Sequence, residues 1–293
     1  MTLTQLIDAM MASGQTQDTG SHGRFMFWRS ELGHFKATEI TADQVDDACL
    51  RLAHRGKLKG GRCMTTEPSG QPLAPSTITR YLTTLASVYK WAKQNRLLPR
   101  TFINPTTGLE KPTSPIDKNK YLTADQVERL ISAARAADQG WGRLAALIVL
   151  GFHTGLRLGN LLSLRWCDID VEARTATVLC TKNGDPHIAP LTGRCIEELL
   201  KLPKGYPADL IFPGRTGRPF RHTKLWQKMT KIAGMPHVTF HWLRHSCGTQ
   251  MARSGTNQAM IMAVMGHKTL TASARYMHAN ISDKQQTVQR VFS

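Results

Sequence analysis

The sequence predicts a mostly helical α+β protein: an all-α N-terminal half, a linker, and a mixed helical second half carrying a small β-hairpin or sheet. Three observations carry this. Apolar residues recur at i, i+3, i+4 and i+7 over several segments, the spacing of amphipathic helices. Residues 104–120, NPTTGLEKPTSPIDKNK, contain three prolines and little apolar content, which places an interdomain linker at 106–120. Asn183-Gly184 lies between the strand-like runs Thr175–Cys180 and His187–Leu191, a type I′ hairpin signal.

In chain order, Leu3, Leu6, Ile7, Met10 and Met11 give a helix over 2–12, and a second is expected over Arg24–Leu32. Thr41-Ala-Asp-Gln44 is a capping box opening a third, with Val45, Ala48, Cys49 and Leu52 inward. Residues 55–75 read as a basic loop. Ser76 is expected to cap a long helix whose apolar stripe is Ile78, Tyr81, Leu82, Leu85, Val88, Tyr89 and Ala92. Its other face holds Thr77, Thr79, Arg80, Thr83, Thr84, Ser87 and Lys90, small hydroxyls and cations that suit either a phosphate backbone or plain solvation. Past the linker, Thr123-Ala-Asp-Gln126 caps another helix, and Trp141–His153 reads as a buried helix ended by Gly155.

The chain has 293 residues, with 38 Lys and Arg against 21 Asp and Glu, a net charge of +17. Both halves are basic, which favours a polyanionic partner. The longest apolar run, Leu144–Phe152, is too short to span a membrane. No basic-then-apolar leader opens the chain, so a cytoplasmic protein is expected. Six cysteines without a C-x-x-C pair argue against a disulfide framework or thiolate zinc site and read as reduced, partly buried thiols.

Chemistry concentrates in the second half. His241 and Arg244 in FHWLR share a helix face, although either alone would be read as structural. Arg157 follows a helix-ending glycine in TGLR, Lys182 sits beside the hairpin turn, and Gly266-His267 precedes Tyr276 by nine residues counted from His267. Asp168 and Asp170, in CDID, lack a third acidic partner and read as turn residues; Tyr81, Tyr89, Tyr121 and Tyr206 read as packing residues.

Arg157, Lys182, His241, Arg244, His267 and Tyr276, in that order, resemble the tyrosine recombinase (phage integrase) family. The resemblance covers most of the chain through TGLRLGNLLSLRWCDID, TKNGD, HWLRHSCGTQMARSG and MGHKTLTASARYMH. One departure is Gly159-Asn160, where the family usually has a small residue and Glu. Residues 1–105 look like the family's helical core-binding domain, 121–281 like its catalytic domain, and 282–293 like a tail that docks on a neighbouring protomer. The first domain begins near residue 1, so simple core-type sites without arm sites are expected.

The resemblance implies a DNA-cutting and rejoining enzyme acting through a 3′-phosphotyrosine, without cofactor, metal or ATP. Tyr276 would be the nucleophile, Arg157 and Arg244 would grip the non-bridging phosphate oxygens, His241 and His267 would add hydrogen bonds and proton transfer, and Lys182 would protonate the departing 5′-oxygen. Double-stranded DNA carrying a specific recombination site would be the partner, held by a C-shaped clamp in a homotetramer on two paired sites. An accessory DNA-bending protein or directionality factor belongs to the same expectation. Thr79, Arg80, Thr83 and Lys90 would contact DNA from the first domain. From the second, the basic stretch 201–231 would supply Arg215, Arg218, Arg221, Lys224 and Lys228, with Lys201, Lys204 and Lys231 close by and Asp209 the single acid. An integrase of a phage or other mobile element is the expected role; a type IB topoisomerase and a non-catalytic DNA-binding regulator are the rivals.

Overall fold

A computed structural model describes residues 1–14, 19–58, 67–113, 120–179, 186–214, 217–267, 269–274, 276 and 289. The chain forms two compact units, Met1–Ile116 and Asp117–Ser293.

The first unit contains α1 (Leu3–Ala12), α2 (Thr19–Leu32), α3 (Ala42–Arg55) and α4 (Pro75–Gln94). Reciprocal capping boxes, Thr2 with Gln5 and Thr41 with Gln44, open α1 and α3. Two helix starts differ from expectation. α2 begins at Thr19 rather than Arg24. α4 has Ala74 as its N-cap and no side-chain cap bond, with Pro75 as the first helical residue. Proline's fixed φ and missing N–H suit that position, so Pro75, not Ser76, sets the helix start.

Leu3, Leu6, Ile7, Phe25, Trp28, Leu52, Leu85, Val88 and Tyr89 fill the core of this unit. Two of its buried polar-tipped aromatics, Trp28 and Tyr89, are satisfied, whereas the Nε1 of buried Trp91 has no hydrogen-bond partner among the described residues. Trp28 Nε1 donates to the Tyr81 carbonyl at 2.8 Å and the Tyr89 hydroxyl to the Ala37 carbonyl at 3.0 Å. Residues 102–112 run back along α4: Lys93 Nζ donates to the Phe102 carbonyl at 2.8 Å, and Thr79 Oγ1 to the Pro112 carbonyl at 2.8 Å.

The second unit contains α5 (Ala124–Ala137), α6 (Arg143–Thr154), α7 (Leu158–Ser163) and a 3-10 turn at Trp166–Asp168. Three strands follow: β1 (Ile169–Asp170), β2 (Thr175–Val178) and β3 (His187–Pro190). Next come α8 (Gly193–Leu200), α9 (Thr223–Ile232), α10 (Phe240–Arg253), α11 (Gln258–Met265) and α12 (Leu270–Ala274). The strands form one antiparallel sheet in the order β1-β2-β3, with Thr175 opposite Pro190 and Val178 opposite His187. The pairing of β2 with β3 is the one expected; the two-residue strand β1 is additional. The hairpin tip with Asn183-Gly184 lies outside the described residues.

α6 is the central helix, with Leu144 through Gly151 all buried, and it packs on α5, α8 and α10. It starts at Arg143, not Trp141. Gly142 is left-handed (φ 63°) and interrupts the helical path, so Trp141 stays 43% exposed with the Arg143 guanidinium 4.3 Å above its ring. Gly155 (φ 65°) ends α6 as expected.

Tyr206 departs from its expected packing role, being 80% exposed on a turn between Gly205 and Pro207. Among the described cysteines, Cys49, Cys195 and Cys247 are buried and Cys167 is exposed. Burial pushes the Cys247 thiol up to about 12, which keeps it protonated and unreactive. No helix among the described residues is long and apolar enough to cross a membrane.

Candidate active site

The site is organised around one face of α10, where His241, Arg244, His245 and Gly248 follow helical spacing. Arg244 is 3% exposed. Its guanidinium donates to two carbonyls, Gly155 O and, at 2.8 Å, Met265 O. Gly155 is the C-cap of α6, and Met265 is the last residue of α11, capped by left-handed Gly266 (φ 61°). Arg244 thus bridges two helix C-termini, where unsatisfied carbonyls and the negative dipole end favour a cation. This carbonyl-capping role, left open by the sequence, is real, and it also fixes where the guanidinium lies.

The same two glycines aim the other motif residues. After Gly155 the chain turns so that Arg157 becomes the N-cap of α7, extended (φ −67°, ψ 145°) and half-buried. After Gly266, the His267 backbone N–H closes onto the Met262 carbonyl at 2.9 Å, leaving the half-buried ring beside Tyr276.

Tyr276 is anchored by its backbone N–H donating to the Ser273 carbonyl at 3.0 Å. Its ring lies directly on α10 at Gly248, where a Cβ would stand 2.7 Å from Cε2. Its hydroxyl reaches to 3.2 Å from His245 Nδ1. The His267 ring is nearly parallel to the Tyr276 ring, at 13° with centroids 6.2 Å apart. The exposed His241 sits edge-on to His245, with centroids at 4.5 Å. His241, His245, His267 and Tyr276 therefore form one cluster on the α10 face that carries Arg244. Lys182 lies outside the described residues.

Two of these neighbours escaped the sequence reading. His245 was visible as the second His of HWLRH, four residues after His241 on the same stripe. His187, read only as a strand residue, sits at the start of β3 with Nε2 3.1 Å from the Val264 carbonyl and its ring against Gly266. Burial, then the positive fields of Arg244 and Arg157, hold the His187 imidazole below its ordinary range, opposed by the Val264 hydrogen bond. No sequence pattern singles it out, because strand pairing alone brings it to the α11 end. At the departure from the family pattern, Asn160 is half-buried in α7 and its carbonyl accepts a hydrogen bond from Ser163 Oγ.

On α4, Arg80, Thr83 and Lys90 are exposed. Thr79 is half-buried, with its hydroxyl donating inward to backbone carbonyls. Thr84, assigned by sequence to that polar face, is buried instead, because its Oγ1 accepts from Arg24 Nε at 2.8 Å. In the second unit Arg218, Arg221, Lys224 and Lys228 are exposed, while Trp226 and Met229 face the core. Arg215 lies outside the described residues. Asp168 ends the 3-10 turn and Asp170 ends β1 beside the next turn: they accept from the backbone N–H of Arg165 and Ala173, both at 2.8 Å.

The family model described as the phage integrase family matches residues 120–282, more than half of the chain. Tyrosine recombinase XerC of Xanthomonas campestris pv. campestris is 28% identical over 224 residues, covering 74% of this chain and 68% of its own. The shufflon-specific DNA recombinase of Escherichia coli is 27% identical over 211 residues, covering 72% and 53%. The Tn1549 transposon integrase, solved in complex with a circular intermediate DNA, has the same fold at a TM-score of 0.71, 19% identity and 99% coverage of both chains. A lambda integrase tetramer bound to a Holliday junction aligns at a TM-score of 0.64 and 17% identity, over 95% of this chain and 78% of that one. The chain belongs to the phage integrase family, the tyrosine site-specific recombinases.

Proposed function

We propose that the chain cuts and rejoins double-stranded DNA at a specific site by transesterification, with Tyr276 as nucleophile, as the integrase of a phage or other mobile element. The observation that carries this is the Tyr276 hydroxyl held 3.2 Å from His245 Nδ1, in a cluster with His241 and His267, on the helix face of Arg244. As the tyrosine oxygen attacks the scissile phosphorus, the non-bridging oxygens gain negative charge, which Arg157 and Arg244 would balance with guanidinium forks. His241 and His267 would add hydrogen bonds and help with proton transfer, and Lys182 would protonate the 5′-oxygen as it leaves. The phosphotyrosine conserves the bond energy, so a new 5′-hydroxyl can rejoin the strand without ATP.

Assembly is part of the same reading. Lambda integrase has been solved as a tetramer on a Holliday junction. A homotetramer pairing two sites, with residues 282–293 docked on a neighbouring protomer, fits strand exchange between duplexes. Thr79, Arg80, Thr83, Lys90, Arg215, Arg218, Arg221, Lys224 and Lys228 would contact the DNA backbone. Two domains, bounded at 105 and 121, would each contact the duplex, in the cytoplasm. An accessory DNA-bending protein or directionality factor would bias the direction.

The test is covalent trapping on a nicked suicide duplex carrying DNA from the chain's own flanking locus, in EDTA. A denaturant-resistant protein–DNA adduct is expected from the wild type and none from Tyr276→Phe. An adduct surviving in the Phe variant would exclude Tyr276 as the nucleophile.

A further inference from the structure

We propose that His245 is a further catalytic residue, whose Nδ1 takes the Tyr276 hydroxyl proton as the tyrosine oxygen attacks; this rests on Tyr276 being the nucleophile. A phenol with an ordinary pKa of about 10 is a weak nucleophile at neutral pH unless a base stands within hydrogen-bond reach. The 3.2 Å contact between His245 Nδ1 and the Tyr276 hydroxyl meets that requirement. An imidazole nitrogen that carries no proton is the side-chain base suited to accept one near neutral pH.

The contact is built into the helix. His245 and Gly248 are one turn apart on α10, and because Gly248 has no Cβ the Tyr276 ring lies flat on that turn with its edge over Gly248. The hydroxyl, at the far end of the ring, is then delivered to position 245. Any larger residue at 248 would lift the ring from the helix and open that distance. His241, one turn before His245 and exposed, lies with its ring nearly perpendicular to that imidazole, the centroids 4.5 Å apart.

The proton count closes. The Tyr276 O–H bond breaks with its proton passing to His245 Nδ1, the phosphorus–tyrosine bond forms, and the phosphorus–5′-oxygen bond breaks. The leaving oxygen takes a proton from the general acid, Lys182 in the reading above. Rejoining runs each transfer in reverse: the imidazolium of His245 returns its proton to the departing tyrosine oxygen.

The experiment is single-turnover adduct formation on the nicked suicide duplex with three variants of the full chain. His245→Asn keeps a polar atom at the Nδ1 position but cannot take a proton; its rate should fall about 100-fold, within the range for a lost general base, with DNA binding and melting temperature unchanged. His245→Ala should be slow and regain rate with added imidazole, in proportion to the free base. On a duplex with sulfur in place of the scissile 5′-oxygen, the leaving group needs no proton, so the His245→Asn deficit should persist. Wild-type rates from His245→Asn would overturn the proposal. So would a slow His245→Ala that imidazole does not rescue, which would leave His245 as a positioning residue. If His245→Ala fails to fold, the Asn variant decides. Tyr276→Phe runs alongside: an adduct there is the failure of the nucleophile reading, whereas a Tyr276-dependent adduct at full rate without His245 is the failure of this proposal alone.

Discussion

At the scale of single residues, one absent methyl group decides where the proposed nucleophile lies. Gly248 is helical, so its value is not backbone freedom; a Cβ there would come within 2.7–2.8 Å of three ring atoms of Tyr276. The ring would have to rotate or lift, and misplacement of a reacting group by about 1 Å can cost on the order of 100-fold in rate. Gly248→Ala should therefore cut adduct formation by about that factor, while DNA binding and thermal stability stay near wild type, since alanine is the better helix former. A variant that cleaves at the wild-type rate would contradict this placement of the ring. Arg244 shows the opposite economy, one side chain with two duties: its forked donors satisfy two buried carbonyls and position the cation.

Between elements, the decisive contacts are helix ends meeting strands and other helices. The C-termini of α6 and α11 converge on Arg244, and β3 meets α11 through His187 and the Val264 carbonyl. Burial lowers the His187 pKa, so its charged form is disfavoured in the folded protein relative to the unfolded chain. Between the lowered pKa and the ordinary value of about 6.5, the unfolded chain binds more protons, so stability rises with pH through that window and is level above it. His153 and His222 are lowered by burial too and act in the same direction. The melting temperature should therefore fall as pH drops below about 6.5, and His187→Gln should make that fall smaller without abolishing it. An unchanged pH dependence in the Gln variant would show that His187 contributes none of it. The sheet itself is minimal: β1 pairs Ile169 with Ala176 and Asp170 with Thr175, and the Asp168 and Asp170 carboxylates accept from the Arg165 and Ala173 N–H groups on either side.

For the whole molecule, the net charge of +17 requires a surface that tolerates or uses so much repulsion. Cations placed on one side of an element are the economical arrangement when the partner is a polyanion. α9 does this: Lys224, Lys228 and Lys231 are exposed at i, i+4 and i+7, opposite buried Trp226 and Met229. Each phosphate contact releases about 0.9 counterion on duplex DNA. Lys224→Gln with Lys228→Gln should therefore weaken specific and random DNA alike and lower the slope of log affinity against log salt by about 2. A loss confined to one sequence would instead make them base-reading residues. The two hydrophobic cores, one in each compact unit, are separately complete clusters.

What the sequence determined by itself is whatever depends on neighbours in the chain. The capping boxes at Thr41 and Thr123, the left-handed Gly155, the amphipathic stripe of α4 and the pairing of β2 with β3 are local or periodic, set by spacing, φ and side-chain hydrogen bonds within a few residues. The ordered motif from Arg157 to Tyr276 was legible as a pattern of residue types and spacings along the chain. The starts of α2, α4 and α6 were misplaced by a few residues because competing local signals, Pro75 over Ser76 and Gly142 over Trp141, settle them by small energies. Only the tertiary structure decided that Arg244 ties Gly155 to Met265, that His187 reaches Val264 from another element, and that Tyr276 lies on Gly248 with its hydroxyl at His245. Those contacts join residues 21 to 89 positions apart along the chain. Their geometry follows from how packed helices meet, a property no local window of sequence contains.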